Sequence, residues 1–121
     1  MCRGTGFDLC EIARMEKLIE NDRFLNRFFT EQEIAYVRSK GKNAAATLAG
    51  LYAAKEAMTK ALGTGITFEL KEIEIIHDPQ GRPGYTLSGR AAEIGAGDCF
   101  FLSISHDGGI AGAVCIRESA V

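Results

Sequence analysis

A run of good helix formers in the middle of the chain constrains its fold more than any other feature. Residues 44–62 are rich in Ala, Leu, Lys and Glu, which are among the residue types that favour an α-helix most. Gly63 and Gly65 follow, and glycine adopts the left-handed conformation that commonly ends a helix. The sequence therefore predicts one long helix over 44–62.

Shorter patterns surround this helix on both sides. Five segments are predicted to be β-strands: 2–8, 72–77, 85–87, 98–105 and 110–117. Three further segments are predicted to be helices: 9–21 from its apolar spacing, a helix that the capping box Thr30–Glu33 opens and that runs to about Lys40, and a short one from Ser88 to about Gly95. A turn at His106-Asp107-Gly108-Gly109 joins the last two strands. The sum is an α+β fold, with helices early and a small antiparallel sheet late.

Composition and charge exclude several classes of function. The length of 121 residues suits a single domain over 1–121, and the net charge of −2 argues against general nucleic-acid binding. No apolar run approaches the roughly 20 residues that span a bilayer, so no membrane segment is expected. The first residues lack the basic-then-apolar order of a signal peptide, so a cytoplasmic location is expected. The cysteines form no C-x-x-C pair and are expected to be buried free thiols: Cys2, Cys10, Cys99 and Cys115.

Two carboxylates and a lysine are the first candidates for chemistry. Glu56 and Lys60 share one face of the predicted long helix, beside small residues that leave room for a ligand; a surface salt bridge is the alternative interpretation. Asp8 ends the predicted first strand, where a carboxylate serves either as a metal ligand or as a helix cap. Together Asp8 and Glu56 suit one Mg²⁺, which typically takes one or two carboxylates and adds water and phosphate oxygens. Lys55 is expected to point elsewhere, into solvent.

His106 is a further candidate because Ser105 and Asp107 flank it. This arrangement favours hydrogen bonding to a phosphate or a proton relay, and a structural histidine is the alternative. His77 is expected at the surface. Basic residues of the first helical region form either a solvated mixed-charge surface or a docking patch for an acidic partner: Arg14, Arg23 and Arg27.

Four segments carry a family pattern, in one order and over nearly the whole chain. They are residues 4–12 with Arg14, residues 27–30 followed by Glu33, residues 52–66 with Ala54-Lys55-Glu56 and Lys60-Ala61-Leu62-Gly63, and residues 103–107. On these segments the chain closely resembles the holo-acyl-carrier-protein synthases, the small group of 4′-phosphopantetheinyl transferases.

The resemblance implies a fold and a reaction. The fold is that of 4′-phosphopantetheinyl transferases, a long helix packed on a small antiparallel sheet. The enzyme would move phosphopantetheine from coenzyme A to a serine hydroxyl of apo acyl carrier protein, with adenosine 3′,5′-bisphosphate as the other product, in support of fatty acid biosynthesis. The resemblance assigns Asp8 and Glu56 to Mg²⁺ and sets Lys60 at the phosphates, where it stabilises charge on the leaving group. The base for the serine proton stays open between Glu56, acting through a metal-bound water, and His106 or Asp107.

The resemblance also implies where coenzyme A binds. His106 and Lys42 would hold its 3′-phosphate, unless His106 is the base, and Gly81-Arg82-Pro83 would lie near the nucleotide. Leu51 departs from the family, because many relatives have at this position an arginine that helps bind this phosphate. Either Lys42, Arg82 or another basic group compensates, or coenzyme A binds more weakly. The residues expected to bind coenzyme A are Lys42, Lys60, Gly63, Gly65, Arg82, Pro83 and His106.

Partners and assembly follow from the same resemblance. It implies a homotrimer with active sites between neighbouring subunits. The carrier protein is acidic, so Arg14, Arg23 and Arg27 become the expected docking residues. Two alternatives are a coenzyme A or nucleotide binding module without turnover and a structural subunit whose charged helix faces are only solvated. The intact set Asp8, Glu56 and Lys60 argues against the binding module.

Overall fold

The chain begins with a strand and four helices and ends mostly in strands. A computed structural model describes residues 1–63 and 68–120. Its elements in chain order are β1 (Cys2–Glu11), α1 (Ile12–Leu18), α2 (Asp22–Phe28), α3 (Glu31–Arg38), α4 (Ala44–Leu62), β2 (Ile73–His77), β3 (Pro83–Leu87), α5 (Gly89–Ile94), β4 (Asp98–Asp107) and β5 (Ile110–Ser119). Short 3₁₀ turns over Gly41–Asn43 and Leu70–Glu72 lead into α4 and β2. The predicted α+β class is confirmed.

The two clearest helix signals in the sequence are confirmed. Helix α4 occupies the predicted 44–62, and Gly63 ends it with a left-handed φ of 71°. Gly65, the second predicted helix terminator, lies outside the described residues. At the start of α3 the capping box is complete, because Thr30 Oγ1 accepts from the Glu33 amide at 3.2 Å and Glu33 Oε1 accepts from the Thr30 amide at 2.9 Å.

The prediction for residues 9–21 is wrong in its first part. Strand β1 continues past Asp8 to Glu11, since Leu9 and Cys10 pair with Gly112 and Ala111 of β5. Pairing with a strand a hundred residues away therefore overrides the local helical spacing. The remaining apolar positions form α1, and α2 follows after a break at which the Asn21 side chain accepts from the Phe24 amide at 3.0 Å.

Two antiparallel sheets pack with α4. The larger has the strand order β1-β5-β4, and β2 and β3 form a separate hairpin. Side chains alternate across β1, so Gly4, Gly6 and Asp8 face α4. A Cβ on Gly4 or Gly6 would overlap the carbonyl oxygen of Ala61 or Ala57. These two glycines therefore allow the strand to lie directly against the helix backbone.

The end of β4 also differs from the prediction. His106 and Asp107 belong to the strand, where they pair with Ala111 and Ile110. Gly108 and Gly109 alone make the turn, with φ of 58° and 83°. Two left-handed residues in succession are what a tight hairpin requires, and glycine adopts them without strain.

Smaller differences occur in the second half of the chain. Strand β3 begins at Pro83, two residues before the predicted start. Ser88 precedes α5 as expected, but its side chain makes no capping hydrogen bond. Glu72 Oε1 accepts from the Ala91 amide at 3.0 Å instead, which ties α5 to the turn before β2.

A buried ion pair lies at the centre of the fold. The Lys55 ammonium is 2.8 Å from Glu33 Oε1, and both side chains have no solvent exposure. The prediction that Lys55 is solvated is therefore wrong. Burial lowers the pKa of Lys55, and the Glu33 carboxylate opposes that shift.

The cysteine prediction is half right. Cys10 and Cys115 are buried free thiols, whereas Cys2 and Cys99 are exposed. Cys99 is exposed because residues alternate along β4 and this position points away from the core. Within residues 1–63 and 68–120, no helix is long and apolar enough to cross a membrane.

Candidate functional site

Asp8 and Lys60 meet where β1 packs against α4. Lys60 Nζ lies 3.1 Å from Asp8 Oδ1 and 2.9 Å from the Phe7 carbonyl oxygen. Among the described residues, the ion pair of Lys60 is with Asp8, so the alternative of a simple salt bridge along α4 to Glu56 does not describe the contact. Strand β1 therefore brings Asp8 to the face of α4 that carries Glu56 and Lys60.

Glu56 lies one turn before Lys60 and is partly buried. Burial raises the pKa of its carboxyl group, and the negative charge of Asp8 raises it further, while Lys60 and Arg14 oppose the shift. Two carboxylates and two cations thus lie within electrostatic range of one another.

The donor set fits a magnesium ion. Magnesium is typically held by one or two protein carboxylates, with water and substrate phosphate in its other positions. Asp8 and Glu56 repel each other, and a divalent cation would relieve that repulsion. Among the described residues, no group of three or more His, Cys, Asp or Glu side chains lies in metal-binding proximity.

A cleft of about 600 Å³ opens beside Glu56. We call it the Glu56 cleft. One wall of the cleft comes from α2 and α4, and the other comes from residues 68–71. Its lining residues are Asn26, Arg27, Phe28, Tyr52, Glu56, Thr59, Phe68, Glu69, Leu70 and Lys71.

Two of the three predicted docking arginines adjoin this cleft. Arg27 lines it and lies 5.2 Å from the Phe28 ring centroid. The Arg14 guanidinium lies 5.2 Å from the ring centroid of Tyr52, another lining residue. Arg23 is exposed on α2. A positively charged rim with aromatic rings between the charges suits an acidic protein surface.

His106 lies in a different cleft, of about 400 Å³, which we call the His106 cleft. The strand registers put His106 level with Cys10 but two strands away, so roughly 10 Å of sheet separates their backbones. The structure therefore does not bring His106 to Asp8 within one chain. Asp107 follows His106 in β4 and points to the opposite face of the sheet.

The predicted coenzyme A ligands divide among several places. Pro83 lines the His106 cleft. The Arg82 guanidinium is bound to Asp78, with Nε 3.0 Å from Oδ2. Lys42 is exposed in the 3₁₀ turn before α4, and Gly63 is exposed at the end of α4. Gly65 lies outside the described residues.

Sequence reasoning missed several residues of the His106 cleft. Lys40 Nζ lies 4.6 Å from the centroid of the Tyr36 ring, and the other contact of this ring is a 4.1 Å stack on His77. His77 was predicted at the surface but is partly buried, and burial lowers its pKa. Leu51 is buried in the same wall. The i,i+4 spacing of Tyr36 and Lys40 was the one signal available in the sequence.

Comparison with known proteins agrees with this fold. The chain belongs to the 4′-phosphopantetheinyl transferase superfamily, whose family model matches residues 4–112. It is 43% identical over 122 residues to the holo-[acyl-carrier-protein] synthase of Treponema denticola, covering 98% of this chain and 99% of that one.

Solved structures are similar over nearly the full length. The holo-[acyl-carrier-protein] synthase of Helicobacter pylori in complex with coenzyme A superposes with a TM-score of 0.82 at 35% identity, covering 94% of this chain and 99% of that one. The corresponding synthase of Bacillus anthracis, in complex with CoA (3′,5′-ADP), gives a TM-score of 0.82 at 36% identity and covers 98% of each chain. The predicted family and fold are confirmed.

Proposed function

We propose that this chain transfers 4′-phosphopantetheine from coenzyme A to a serine hydroxyl of apo acyl carrier protein. The products are holo acyl carrier protein and adenosine 3′,5′-bisphosphate. The observation that carries the proposal is the Asp8–Lys60 contact with Glu56 beside it, at the mouth of an open cleft, in a chain similar over its whole length to holo-[acyl-carrier-protein] synthases.

The reaction needs charge stabilisation at one phosphorus. The serine oxygen bonds to the phosphorus that carries pantetheine, and the bond from that phosphorus to the oxygen of adenosine 3′,5′-bisphosphate breaks. Negative charge develops on this leaving oxygen, and the exposed ammonium of Lys60 is available to stabilise it. Asp8 and Glu56 would hold Mg²⁺, which supplies further neutralisation of phosphate charge when bound.

The acceptor of the serine proton comes from a small set. Glu56 belongs to the Asp8–Lys60 group of the same chain, and burial raises its proton affinity. His106 and Asp107 lie elsewhere in the chain and would contribute from a neighbouring subunit. His106, Pro83, Arg82, Lys42, Gly63 and Gly65 are proposed to bind coenzyme A together with Lys60.

We propose that the carrier protein docks on the rim of the Glu56 cleft. Arg14 and Arg27 flank this rim, and Arg23 extends the positive surface along α2. Their charges complement an acidic carrier and would speed its association in a salt-dependent way. The same assignment supports a role in fatty acid biosynthesis in the cytoplasm, which carrier specificity and cell fractionation would test.

A homotrimer with active sites between subunits is the proposed assembly. Apolar side chains on the sheet face away from α4 support it: Phe7, Leu9, Phe101, Val114 and Ile116, with Phe7 59% exposed. The separation of the His106 cleft from Asp8 also supports it, because a neighbour's cleft would complete the site of each chain.

Intact-protein mass spectrometry of apo acyl carrier protein tests the reaction. We expect the carrier to gain one phosphopantetheine after incubation with coenzyme A and Mg²⁺, and to gain none with EDTA or with the Asp8→Ala or Glu56→Ala variant. Coenzyme A binding without a mass gain on several carriers would favour the binding module instead.

In the same assay Arg14→Glu should raise the KM for the carrier and leave the KM for coenzyme A nearly unchanged. An unaltered KM for the carrier would remove Arg14 from the docking surface.

A further inference from the structure

Lys55 and Glu56 are consecutive on α4 but point in different directions from the helix. Successive residues of a helix point about 100° apart, so Glu56 reaches the cleft while Lys55 enters the core. The Lys55 side chain is wholly buried, yet the transfer reaction proposed above gives it no part.

All three protons of the Lys55 ammonium have acceptors. They are the carbonyl oxygen of Leu70 at 3.0 Å, the carbonyl oxygen of Ile73 at 2.7 Å and Glu33 Oε1 at 2.8 Å. An ammonium has three hydrogen-bond donors, and these three acceptors use all of them. We call the contacts of Lys55 with Glu33, Leu70 and Ile73 the clamp. The clamp joins α4 to both ends of the turn that precedes β2.

Hydrogen bonds also hold the Glu33 carboxylate, the acidic partner of Lys55 in the clamp. The second carboxylate oxygen of Glu33, Oε2, accepts from the Ile75 amide at 2.8 Å, and Oε1 also accepts from the Thr30 amide. The first turn of α3 and strand β2 therefore hold the partner of Lys55 in one orientation.

The clamp acts on a wall of the Glu56 cleft. Leu70, whose carbonyl oxygen Lys55 holds, lines this cleft together with Phe68 and Lys71. Glu56 lines it from the helix side. One side chain thus sets the position of the 68–71 wall relative to the helix turn that carries Glu56.

Stability alone is a weak reason for such a pair. Desolvating two charges offsets most of their attraction, and well-packed apolar residues often give equal or greater stability. A hydrogen-bonded ammonium, unlike an apolar side chain, specifies where two particular carbonyl groups lie.

We propose that Lys55 is a positioning residue for the transfer reaction, holding the 68–71 wall at a fixed distance from Glu56. The inference rests on the proposed function, because it assigns to Lys55 the geometry of that site. Lys55 itself contacts neither coenzyme A nor the carrier protein. It affects kcat by aligning the groups that do contact them.

The double variant Lys55→Met/Glu33→Gln tests the proposal without leaving an unpaired buried charge. Glu33→Gln alone keeps the Lys55 bonds to Leu70 and Ile73. Leu48→Ala is the matched control, because Leu48 is buried on α4 and lines neither cleft, so its truncation should destabilise the fold without touching the site. Steady-state kinetics with both substrates are measured below each variant's unfolding transition, and coenzyme A binding is measured separately by calorimetry.

We expect the double variant to lose roughly tenfold or more in kcat, because small misplacements of reacting groups have effects of this size. KM for coenzyme A should change little, and Glu33→Gln and Leu48→Ala should keep nearly wild-type kcat. A double variant with the kcat of Leu48→Ala would overturn the proposal, as would an equal loss in Glu33→Gln. If the double variant does not fold, Lys55→Gln/Glu33→Gln, which also leaves no buried charge unpaired, replaces it with the same expected fall. An inactive wild type that binds coenzyme A would instead refute the proposed function.

Discussion

Lys60 combines fixed contacts with an accessible ammonium group. Its contacts with Asp8 and the Phe7 carbonyl hold the ammonium at the helix–strand junction, while the side chain remains 56% exposed. An exposed lysine can turn toward a new anion at little desolvation cost, because its ammonium loses only part of its contact with water. In the proposed reaction the Lys60 side chain would therefore exchange Asp8 for phosphate oxygens of the substrate.

Asp98 makes the stability of the fold depend on pH. Asp98 Oδ2 accepts from Arg117 Nε at 2.6 Å, and Oδ1 accepts from Arg3 Nη1 at 3.1 Å. The bond from Arg117 holds the pKa of Asp98 below its ordinary value of 3.8; Arg3 lowers it further, and partial desolvation opposes both.

We predict that the Asp98 contribution is fully present above about pH 3.8 and is lost as pH falls through the lowered pKa of the folded protein. The sign follows because the unfolded chain takes up the proton first. Urea unfolding of wild type and Asp98→Asn at neutral pH and at pH values near 3 measures it. The difference in unfolding free energy between the two proteins should shrink at acidic pH; a constant difference would contradict the assignment.

At the scale of elements, the packing of β1 on α4 depends on missing side chains. Gly4 and Gly6 face backbone carbonyl groups of the helix, so the strand and helix axes approach more closely than any larger residue permits. This approach sets the distance between Asp8 on the strand and Lys60 on the helix.

We predict that Gly6→Ala is strongly destabilising, by about 1–3 kcal/mol or more, because its Cβ meets the Ala57 backbone and neither element can yield locally. Gly84→Ala is the matched control, since the nearest atom to its Cβ is Ile76 Cγ1 at 3.8 Å. Urea unfolding gives both values. Equal stability of the two variants would show that β1 shifts freely along α4.

The sequence predicts these elements best where local signals and tertiary contacts agree. Most residues of helix α4 favour a helix and a glycine follows its end, and the Thr30–Glu33 box needs only four residues to be recognised. The helix prediction fails for residues 9–11 because these residues pair with β5 as a strand, although their apolar spacing suits a helix.

Site residues divide in the same way. The resemblance predicts Asp8, Glu56 and Lys60, and strand-to-helix packing brings Asp8 to Lys60. The burial of Lys55 escapes sequence reasoning, because its partners lie 22 residues before it and 15 to 18 residues after it along the chain. His77 is missed for the same reason, because it reaches the cleft by stacking on Tyr36, which is far from it in the chain. Lys40 is four residues from Tyr36, and that spacing does not show which cleft the pair lines.

At the scale of the whole molecule, the described part of the chain covers one face of the larger sheet and leaves the other exposed. Helix α4 packs on one side, and the exposed side carries the apolar residues Phe7, Leu9 and Phe101. A contiguous apolar surface of this kind is unusual for a chain that works alone.

We predict that Phe101→Glu dissociates the proposed trimer and abolishes transfer, because a charge enters the apolar interface and each site loses its neighbour's His106 cleft. Light scattering after size exclusion should show about three times the 13.1 kDa chain mass for wild type and less for the variant. Thr86→Glu, an exposed position on the other sheet, is the control. A wild type that is fully active at the mass of one chain would refute the assembly.

Glu33 places a constraint on how this protein can change. Its single carboxylate begins helix α3, bonds to the edge of β2 and neutralises Lys55, the residue before Glu56. Because the three contacts share two oxygen atoms, no substitution at this position adjusts one of them independently. A substitution at position 33 therefore affects the start of α3, the position of β2 and the contact with Lys55 at the same time.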